Sequence, residues 1–356
     1  MPTPVFDVAD PVLVTGANGY LAGWLVKRLL EQGATVHATV RDPDNAAKVA
    51  HLKVLADGLP GVLKLYQADL LVEGSFAEAM VGCGLVFHTA SPFTTNVRDA
   101  QRDLVDPAVR GTRNVLEQAN RTETVKRVVL TSSCAAIFGD QADIAGVPGG
   151  VLTEAIWNTS STLTHQPYSY SKTMAEGAAW QIAGTQEQWK LVVINPGLVV
   201  GPGLSEKQSS ESFNLVRQLG DGAFKAGVPA YEIGMVDVRD VAEAHLRAGF
   251  IPQAEGRHIV FEKPYSFLDL AQVLRAEFGG AYPFPRKELP KWLLWLVGPM
   301  VSNAITRKMA ARSFGFPWKA DNSKSIQALG LSYRPVSQAV IEMFQQLIDS
   351  GQIPKA

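Results

Sequence analysis

Tyr168 and Lys172 stand four residues apart in the run Tyr168-Ser-Tyr-Ser-Lys172. On a helix that spacing puts both side chains on one face. An ammonium beside a phenol favours the tyrosinate and draws the phenol's pKa toward the working range for proton transfer. Such a pair can pass a proton to a carbonyl oxygen as a hydride arrives. The lysine can also hold a ribose. A lone Y-x-x-x-K arises by chance in many helices, so it needs company. Tyr170 competes as an aromatic, but the residue four further on is Met174. Ser133 supplies the company. It ends an apolar run in Thr131-Ser132-Ser133-Cys134, and ligands bind at the carboxyl ends of strands in parallel sheets. A hydroxyl there can donate to the substrate oxygen and stabilise developing charge. Ser132 is the alternative, on the opposite face by strand alternation. Taken by itself, the tripeptide reads as a turn. Cys134 reads as a small buried residue and not as a nucleophile, since no His is near in sequence.

A second constellation precedes it. Gly16-x-x-Gly19-x-x-Ala22 follows the apolar run Pro11–Thr15 and opens the stretch Tyr20–Gln32, whose Leu21, Trp24, Leu25 and Leu29 recur at helical spacing. Gly16 permits a tight turn, Gly19 lets the backbone approach a pyrophosphate, and Ala22 lets helix pack on strand. The helix N-terminus adds unpaired N–H groups and a positive dipole end. Between strand and helix, this loop is a dinucleotide signal and not a plain glycine turn. Arg41 ends the second strand, where the adenosine ribose lies. An acid there takes the 2′-hydroxyl of NAD, whereas an arginine suits the 2′-phosphate of NADP. Lys48 can add a second positive charge. The alternative leaves Arg41 solvated and gives the hydroxyl to Asp42. The balance favours NADP(H). Asp69 can meet the adenine amino group or cap a helix.

The elements that must position these residues alternate regularly. Strands read at Pro11–Thr15, Ala34–Val40, Val62–Ala68, Leu85–Thr89, Arg127–Ser132 and Leu191–Asn195, with helices at Tyr20–Gln32, Asn45–Ala56, Asp103–Arg121 and Tyr168–Thr185. Apolar runs separated by helices predict an α/β fold, a doubly wound parallel Rossmann sheet covered on both faces. After about residue 200 the pattern loosens into glycines, prolines and shorter helices at Phe267–Phe278, Pro290–Val301 and Val336–Ser350. These predict a smaller C-terminal substrate-binding lobe over the sheet's carboxyl edge. Residues 1–200, with about 230–250, are assigned to the cofactor domain, and 201–229 with 251–356 to the lobe. Asp237–His245 is read as a helix returning to the main domain.

Bulk properties exclude several classes. The chain has 356 residues, 46% hydrophobic and 19% charged, with 33 Lys+Arg against 34 Asp+Glu. No basic surplus points to nucleic acid. The two cysteines, Cys83 and Cys134, form no C-x-x-C pair, so neither a disulfide framework nor a metal site is expected. A reducing, cytoplasmic compartment fits. The first ten residues lack the basic head and apolar run of a signal peptide. Leu289–Val301 is apolar but too short for a spanning helix, which needs about 20 residues. It reads as a buried or capping helix, with interfacial membrane contact as the minority reading because two tryptophans and a lysine lie in it. The expected partner is a small-molecule carbonyl or alcohol, for a monomer or homodimer.

Together the motifs resemble the extended short-chain dehydrogenase/reductases, in particular the group of dihydroflavonol 4-reductases, cinnamoyl-CoA reductases and NADPH aldehyde and ketone reductases. The resemblance rests on Val14–Tyr20, Thr39-Val-Arg-Asp-Pro43, His88-Thr-Ala-Ser-Pro92, Val129–Ser133, Tyr168–Lys172, Asn195-Pro-Gly197 and Asp237-Val-Arg-Asp240. It implies a catalytic set of Ser133, Tyr168 and Lys172, and a 2′-phosphate held by Arg41 and Lys48. The cofactor would run along Gly16, Asn18, Gly19, Tyr20 and Leu21, past Asp69 and Leu70, to Thr89, Ala90, Ser91 and Thr131. Pro196, Gly197 and Val199 would touch the carboxamide. Two departures bear on the substrate. Cinnamoyl-CoA reductases carry Asn-Trp-Tyr-Cys-Tyr around the catalytic tyrosine, where this chain has Gln166-Pro-Tyr-Ser-Tyr170. Plant dihydroflavonol reductases place an Asn five positions after the catalytic serine, where this chain has Phe138. Both speak against a CoA thioester and a polyhydroxylated flavonoid. Phe93, Phe138 and Tyr170 suggest a pocket for an apolar or aromatic carbonyl compound, or serve ordinary packing. The competing readings are a hydroxysteroid-type alcohol dehydrogenase, a nucleotide-sugar epimerase or dehydratase of the same fold, and a non-catalytic NADP-binding redox sensor.

Overall fold

The computed structural model describes residues 8–91, 97–205, 208, 210–301 and 305–355. Strand β1 (Val12–Val14) is buried at every position, which requires cover on both faces of the sheet. The chain continues through α1 (Tyr20–Glu31), β2 (Thr35–Val40), α2 (Ala46–Asp57), β3 (Val62–Gln67), the single turn α3 (Ala77–Met80), β4 (Leu85–His88), α4 (Asp106–Asn120), β5 (Arg127–Thr131), α5 (Pro167–Ala183) and β6 (Lys190–Pro196). Next come β7 (Leu198–Val200), α6 (Glu211–Gly220), β8 (Val228–Pro229), β9 (Glu232–Asp237), α7 (Val238–Phe250), β10 (Gly256–Val260), β11 (Lys263–Ser266), α8 (Phe267–Phe278) and β12 (Glu288–Leu289). Four helices finish it: α9 (Lys291–Val301), α10 (Arg307–Ser313), α11 (Ser323–Leu329) and α12 (Val336–Asp349).

Seven strands form one sheet in the order β3-β2-β1-β4-β5-β6-β10, parallel at every pairing. Helices α1 and α7 cover one face through Leu25, Val26, Leu29, Val241 and Leu246. Helices α4 and α5 cover the other through Val115, Leu116, Ala179 and Ile182. The winding reverses between β1 and β4, so the helices that follow them cover opposite faces and a crevice opens at their carboxyl ends. This is the doubly wound sheet that the alternation predicts.

Several details differ from the sequence reading. Gly256–Val260, placed there with the smaller lobe, is the seventh strand of the large sheet. Glu232–Asp237, placed there with the cofactor domain, instead joins β7 and β11 in a separate three-stranded sheet. Local composition marks a strand but not the sheet it joins, since pairing is a long-range choice. The long helix predicted from Asp103 opens with a wide π-type turn over Gln101–Val105 before α4 proper. The lobe has its own core, in which Phe213, Leu270, Leu274, Val340 and Leu347 surround Phe344. The ring of Phe344 lies 4.9 to 5.3 Å from those of Phe278, Tyr282 and Phe284, within the range of favourable edge and offset contacts.

Helix α9 departs furthest from expectation. Only Leu294 and Gly298 of this 11-residue apolar helix are buried; Leu293 and Val297 are half-buried, and the other residues are exposed. Among the described residues no helix is long and apolar enough to cross a membrane.

Candidate active site

Thr15 joins the two loops that line the crevice. Its hydroxyl accepts from the backbone N–H groups of Thr89 and Ala90, at 3.1 and 3.0 Å. It also pairs with Nδ1 of His88 at 3.0 Å. Thr89 returns a hydrogen bond from its own hydroxyl to the Thr15 carbonyl. The loop after β1 is thereby pressed on the loop after β4, and Gly16 shows how closely. Its φ is +65°, a conformation that favours glycine. A Cβ added there would also stand 2.9 Å from the Ala90 Cβ. Helix α1 then begins with no side-chain cap at Gly19 and no acid in its first turn. First-turn amides lack intrahelical acceptors and carry the positive end of the dipole, so this cradle fits a pyrophosphate.

The other residues of the predicted cofactor track divide into two groups. Arg41 and Lys48 are exposed at the end of β2 and on α2, and neither forms an ion pair among the described residues. Asp42 turns to its own loop and accepts from the Asp44 N–H at 3.1 Å. Asn18 is half-buried in the glycine loop. By contrast, several side chains serve the fold. Tyr20 donates its hydroxyl to the Gly201 carbonyl at 2.6 Å, which leaves its backbone for a ligand. Leu21 packs on the core. Asp69 accepts from the Leu71 N–H at 2.8 Å within a turn, and it caps no helix, since the next one starts at Ala77. Leu70 packs on Gly111, where an added Cβ would lie 3.2 Å from the leucine's own. The Thr131 hydroxyl hydrogen-bonds with Nε2 of His245 at 2.6 Å, fixing α7 to β5. Pro196 is buried at the end of β6 and Val199 half-buried in β7. Between them Gly197 passes so close to the Gly234 carbonyl that a Cβ would stand 2.1 Å from its oxygen.

Ser133, Tyr168 and Lys172 are brought together. The Ser133 hydroxyl oxygen accepts from the Ala135 N–H at 3.1 Å as the chain turns off β5, and it hydrogen-bonds with the Tyr168 hydroxyl. Tyr168 is the second residue of α5, after Pro167 at the first helical position, where a missing N–H costs nothing. One turn on, Lys172 Nζ lies 5.8 Å from the centre of the Tyr168 ring and donates to Ser91 Oγ at 3.0 Å. Tyr170 is two residues beyond Tyr168, about 200° round the helix, and half-buried on another face. Phe138 packs edge-on against Trp318, ring centres 6.1 Å apart, and also borders a cavity of about 390 Å³ with Ile137, Leu152, Ile156 and Trp157. Phe93 lies outside the described residues.

The electrostatics reverse one expectation. Burial pushes the Tyr168 phenol up to about 12, with only the Ser133 hydrogen bond pulling it down. Tyr168 is 40% exposed, so water in the cleft screens part of that effect. Burial also pushes Lys172 down to about 8. His88, buried near Lys172, is held down at about 3 and stays a neutral partner for Thr15. In the protein alone, desolvation therefore outweighs the lysine's attraction for a tyrosinate. Tyr168 carries its proton at neutral pH, the form a donor needs. Cys134, as expected, is buried, its thiol pushed up by burial and directed at the Asn195 carbonyl.

Two supports escaped the sequence reading. Glu176 is 1% exposed, yet its carboxylate accepts from Ser132 Oγ at 2.5 Å, Asn195 Nδ2 at 2.9 Å and Trp180 Nε1 at 3.2 Å. It also meets Arg257 Nε at 2.6 Å. Tyr168, Lys172 and Glu176 follow at i, i+4 and i+8, one stripe of α5 facing the sheet, and that spacing was the available signal. The second support lies at the helix entrance. Gln166 is the one non-glycine residue at positive φ among the described residues. Its amide donates to the Gly139 carbonyl and to Asp140 Oδ1, each at 2.7 Å. Buried Asp140 is also held by His165 at 2.9 Å and by Arg312 of α10 at 2.7 Å. No pattern in sequence joins positions 140, 166 and 312.

Comparison with known proteins agrees with this fold. The NAD dependent epimerase/dehydratase family matches residues 12–260. The chain belongs to that family. It is thus an extended short-chain dehydrogenase/reductase. It is 36% identical over 346 residues to a cinnamoyl-CoA reductase of Medicago truncatula, covering 96% of each chain. To a putative anthocyanidin reductase of Ginkgo biloba it is 38% identical over 298 residues, covering 80% of this chain and 84% of the relative. Among solved structures, the yeast methylglyoxal/isovaleraldehyde reductase complexed with NADPH superposes with a TM-score of 0.75 at 26% identity. That likeness covers 96% of this chain and all of the yeast protein.

Glu176→Gln tests the first support. It leaves Arg257 buried without its counter-charge, so chemical denaturation should show a loss of about 3–5 kcal/mol. Turnover should fall more than KM rises, because Ser133 and Tyr168 lose their common anchor.

Proposed function

We propose that this protein is an NADPH-dependent reductase of apolar or aromatic ketones and aldehydes, working through Ser133, Tyr168 and Lys172. One observation carries the reading: Tyr168 at the start of α5 meets the strand-end Ser133, with Lys172 one helical turn away. The amides around Gly16, Gly19 and Tyr20 would hold the pyrophosphate. Arg41 and Lys48, exposed and without acidic partners among the described residues, would take the 2′-phosphate; the NADPH bound by the yeast reductase supports this choice. Lys172 and Ser91 would hold the nicotinamide ribose, with Ala90, Pro196, Gly197 and Val199 beside the ring. When bound, the cofactor supplies a hydride.

The chain's own residues do the rest. Ser133 Oγ orients the carbonyl oxygen and donates to it as negative charge grows. Tyr168 keeps its proton on the hydroxyl oxygen until that charge develops, then transfers it. The Lys172 ammonium sits beside the resulting phenolate and stabilises it. The large sheet forms the cofactor domain, and the lobe built on β9, β11, α6, α8 and α12 covers the substrate. Although relatives include cinnamoyl-CoA reductases, the residue two before Tyr168 is here Gln166, tied to Asp140. Phe138 stands where plant dihydroflavonol reductases carry an Asn. These two departures support a small apolar carbonyl compound over a CoA thioester or a polyhydroxylated flavonoid.

Three experiments test this. Tyr168→Phe should lower kcat about 10²–10⁴-fold while NADPH binding, followed by fluorescence, stays unchanged; near-normal turnover would refute the mechanism. Replacing Arg41 by Ala should cut the preference for NADPH over NADH about tenfold to a hundredfold, the range of a lost charge-assisted contact, read as the ratio of kcat/KM values. In the pH profile Lys172 is charged below its depressed value and neutral above it. Reduction should therefore hold level below about pH 8 and decline as pH rises through it. Lys172→Arg should remove that decline, and a flat wild-type profile would count against the role given to Lys172.

A further inference from the structure

Helix α9 lacks a polar face. Trp292, Trp295, Leu296 and Met300, at i, i+3, i+4 and i+8, form one stripe that points to solvent, and Val301 extends it. Trp292 is 67% and Met300 86% exposed, so this is a contiguous apolar patch and not scattered residues. Its opposite side, through Leu294, packs with Ala310 and Phe314 and so roots the helix in the lobe. Cations border the patch. Arg307 lies over the Trp295 ring at 5.0 Å, and Lys291 over Phe316 at 4.3 Å. Between residues 286 and 308 the chain has Arg286, Lys287, Lys291, Arg307 and Lys308 against the single acid Glu288. All five cations are exposed.

We propose that α9 and its basic border form a docking surface for an anionic lipid membrane. Tryptophans and aliphatic side chains on one face with Lys and Arg at the edge are what an interfacial helix needs. Eleven residues are too few to span a bilayer, so the helix lies in the headgroup plane with Trp292, Leu296 and Met300 inserted. The charge pattern decides between occupants. A two-fold contact sets the same patch on both partners, which would bring the two basic borders together. An anionic leaflet attracts that border, and each Lys or Arg near the surface strengthens binding. The surface belongs to the same lobe as Arg312, whose bond to Asp140 reaches the entrance of α5.

The test is flotation of the full chain with vesicles of equal parts phosphatidylcholine and phosphatidylglycerol, compared with phosphatidylcholine alone. The protein should float with the anionic vesicles, not with the neutral ones, and high salt should weaken binding. Arg307→Gln with Lys308→Gln should reduce partitioning roughly tenfold or more. Trp292→Ser with Met300→Ser should abolish it while the thermal midpoint stays unchanged. Failure of the wild-type chain to float, or equal flotation of the Trp292/Met300 variant, overturns the proposal. So does a dimer in light scattering that the same two substitutions convert to a monomer, which would assign the face to a second copy. None of these readouts depends on the proposed reaction.

Discussion

The Glu176 carboxylate is where the helix that bears Tyr168 and Lys172 is fastened to the strands that end in Ser133 and Asn195. Its partners Ser132 and Asn195 sit at the carboxyl ends of neighbouring strands, and Asn195 also donates to the Ser133 carbonyl at 3.2 Å. Arg257 closes the set from β10, two strands away from β5, with further bonds to the carbonyls of Glu154, Ile156 and Ala136. A buried carboxylate satisfied this fully leaves little freedom to slide α5 along its axis. A displacement of about one ångström at reacting groups is enough to impair catalysis. In the proposed mechanism, the Ser133 and Tyr168 hydroxyls therefore inherit their alignment from an ion pair that touches neither of them.

A comparable arrangement holds the other end of the same helix. Gln166 adopts a left-handed conformation that non-glycine residues enter at a cost. Asp140 offsets that cost by receiving Gln166, His165 and Arg312 together. Because Arg312 comes from the lobe, the approach to Tyr168 is built jointly by both parts of the chain. The lobe is in turn tied to α1, where Trp24 donates to the Pro202 carbonyl at 2.8 Å beside the bond from Tyr20 to Gly201.

Much of this was legible in the sequence because it depends on local chemistry. The glycine loop, the strand ends and the spacing of Tyr168 and Lys172 follow from backbone geometry over a few residues. The rest was hidden for identifiable reasons. The partners of Glu176 come from positions 132, 195 and 257, which only the folded sheet brings together. The direction of the Tyr168 shift was misjudged because sequence reveals the neighbouring charge but not the burial that outweighs it. Strand β10 was given to the wrong part of the molecule because its composition suits either sheet. Helix α9 invites a buried or capping reading because its residues are apolar, but burial of apolar residues is a rule that runs in one direction only.

The contrast between Gly16 and Arg41 has a consequence for how such an enzyme can diversify. In the proposed reading, the grip on the dinucleotide is written in backbone, at a position where both torsion and the nearness of Ala90 refuse any side chain. Discrimination at the ribose, in the proposed reading, is written in two solvated side chains, and substitutions in such places rarely shift stability by more than about 0.5 kcal/mol. Coenzyme preference is thus a trait that descendants or designers can revise separately, without reopening the architecture beneath it.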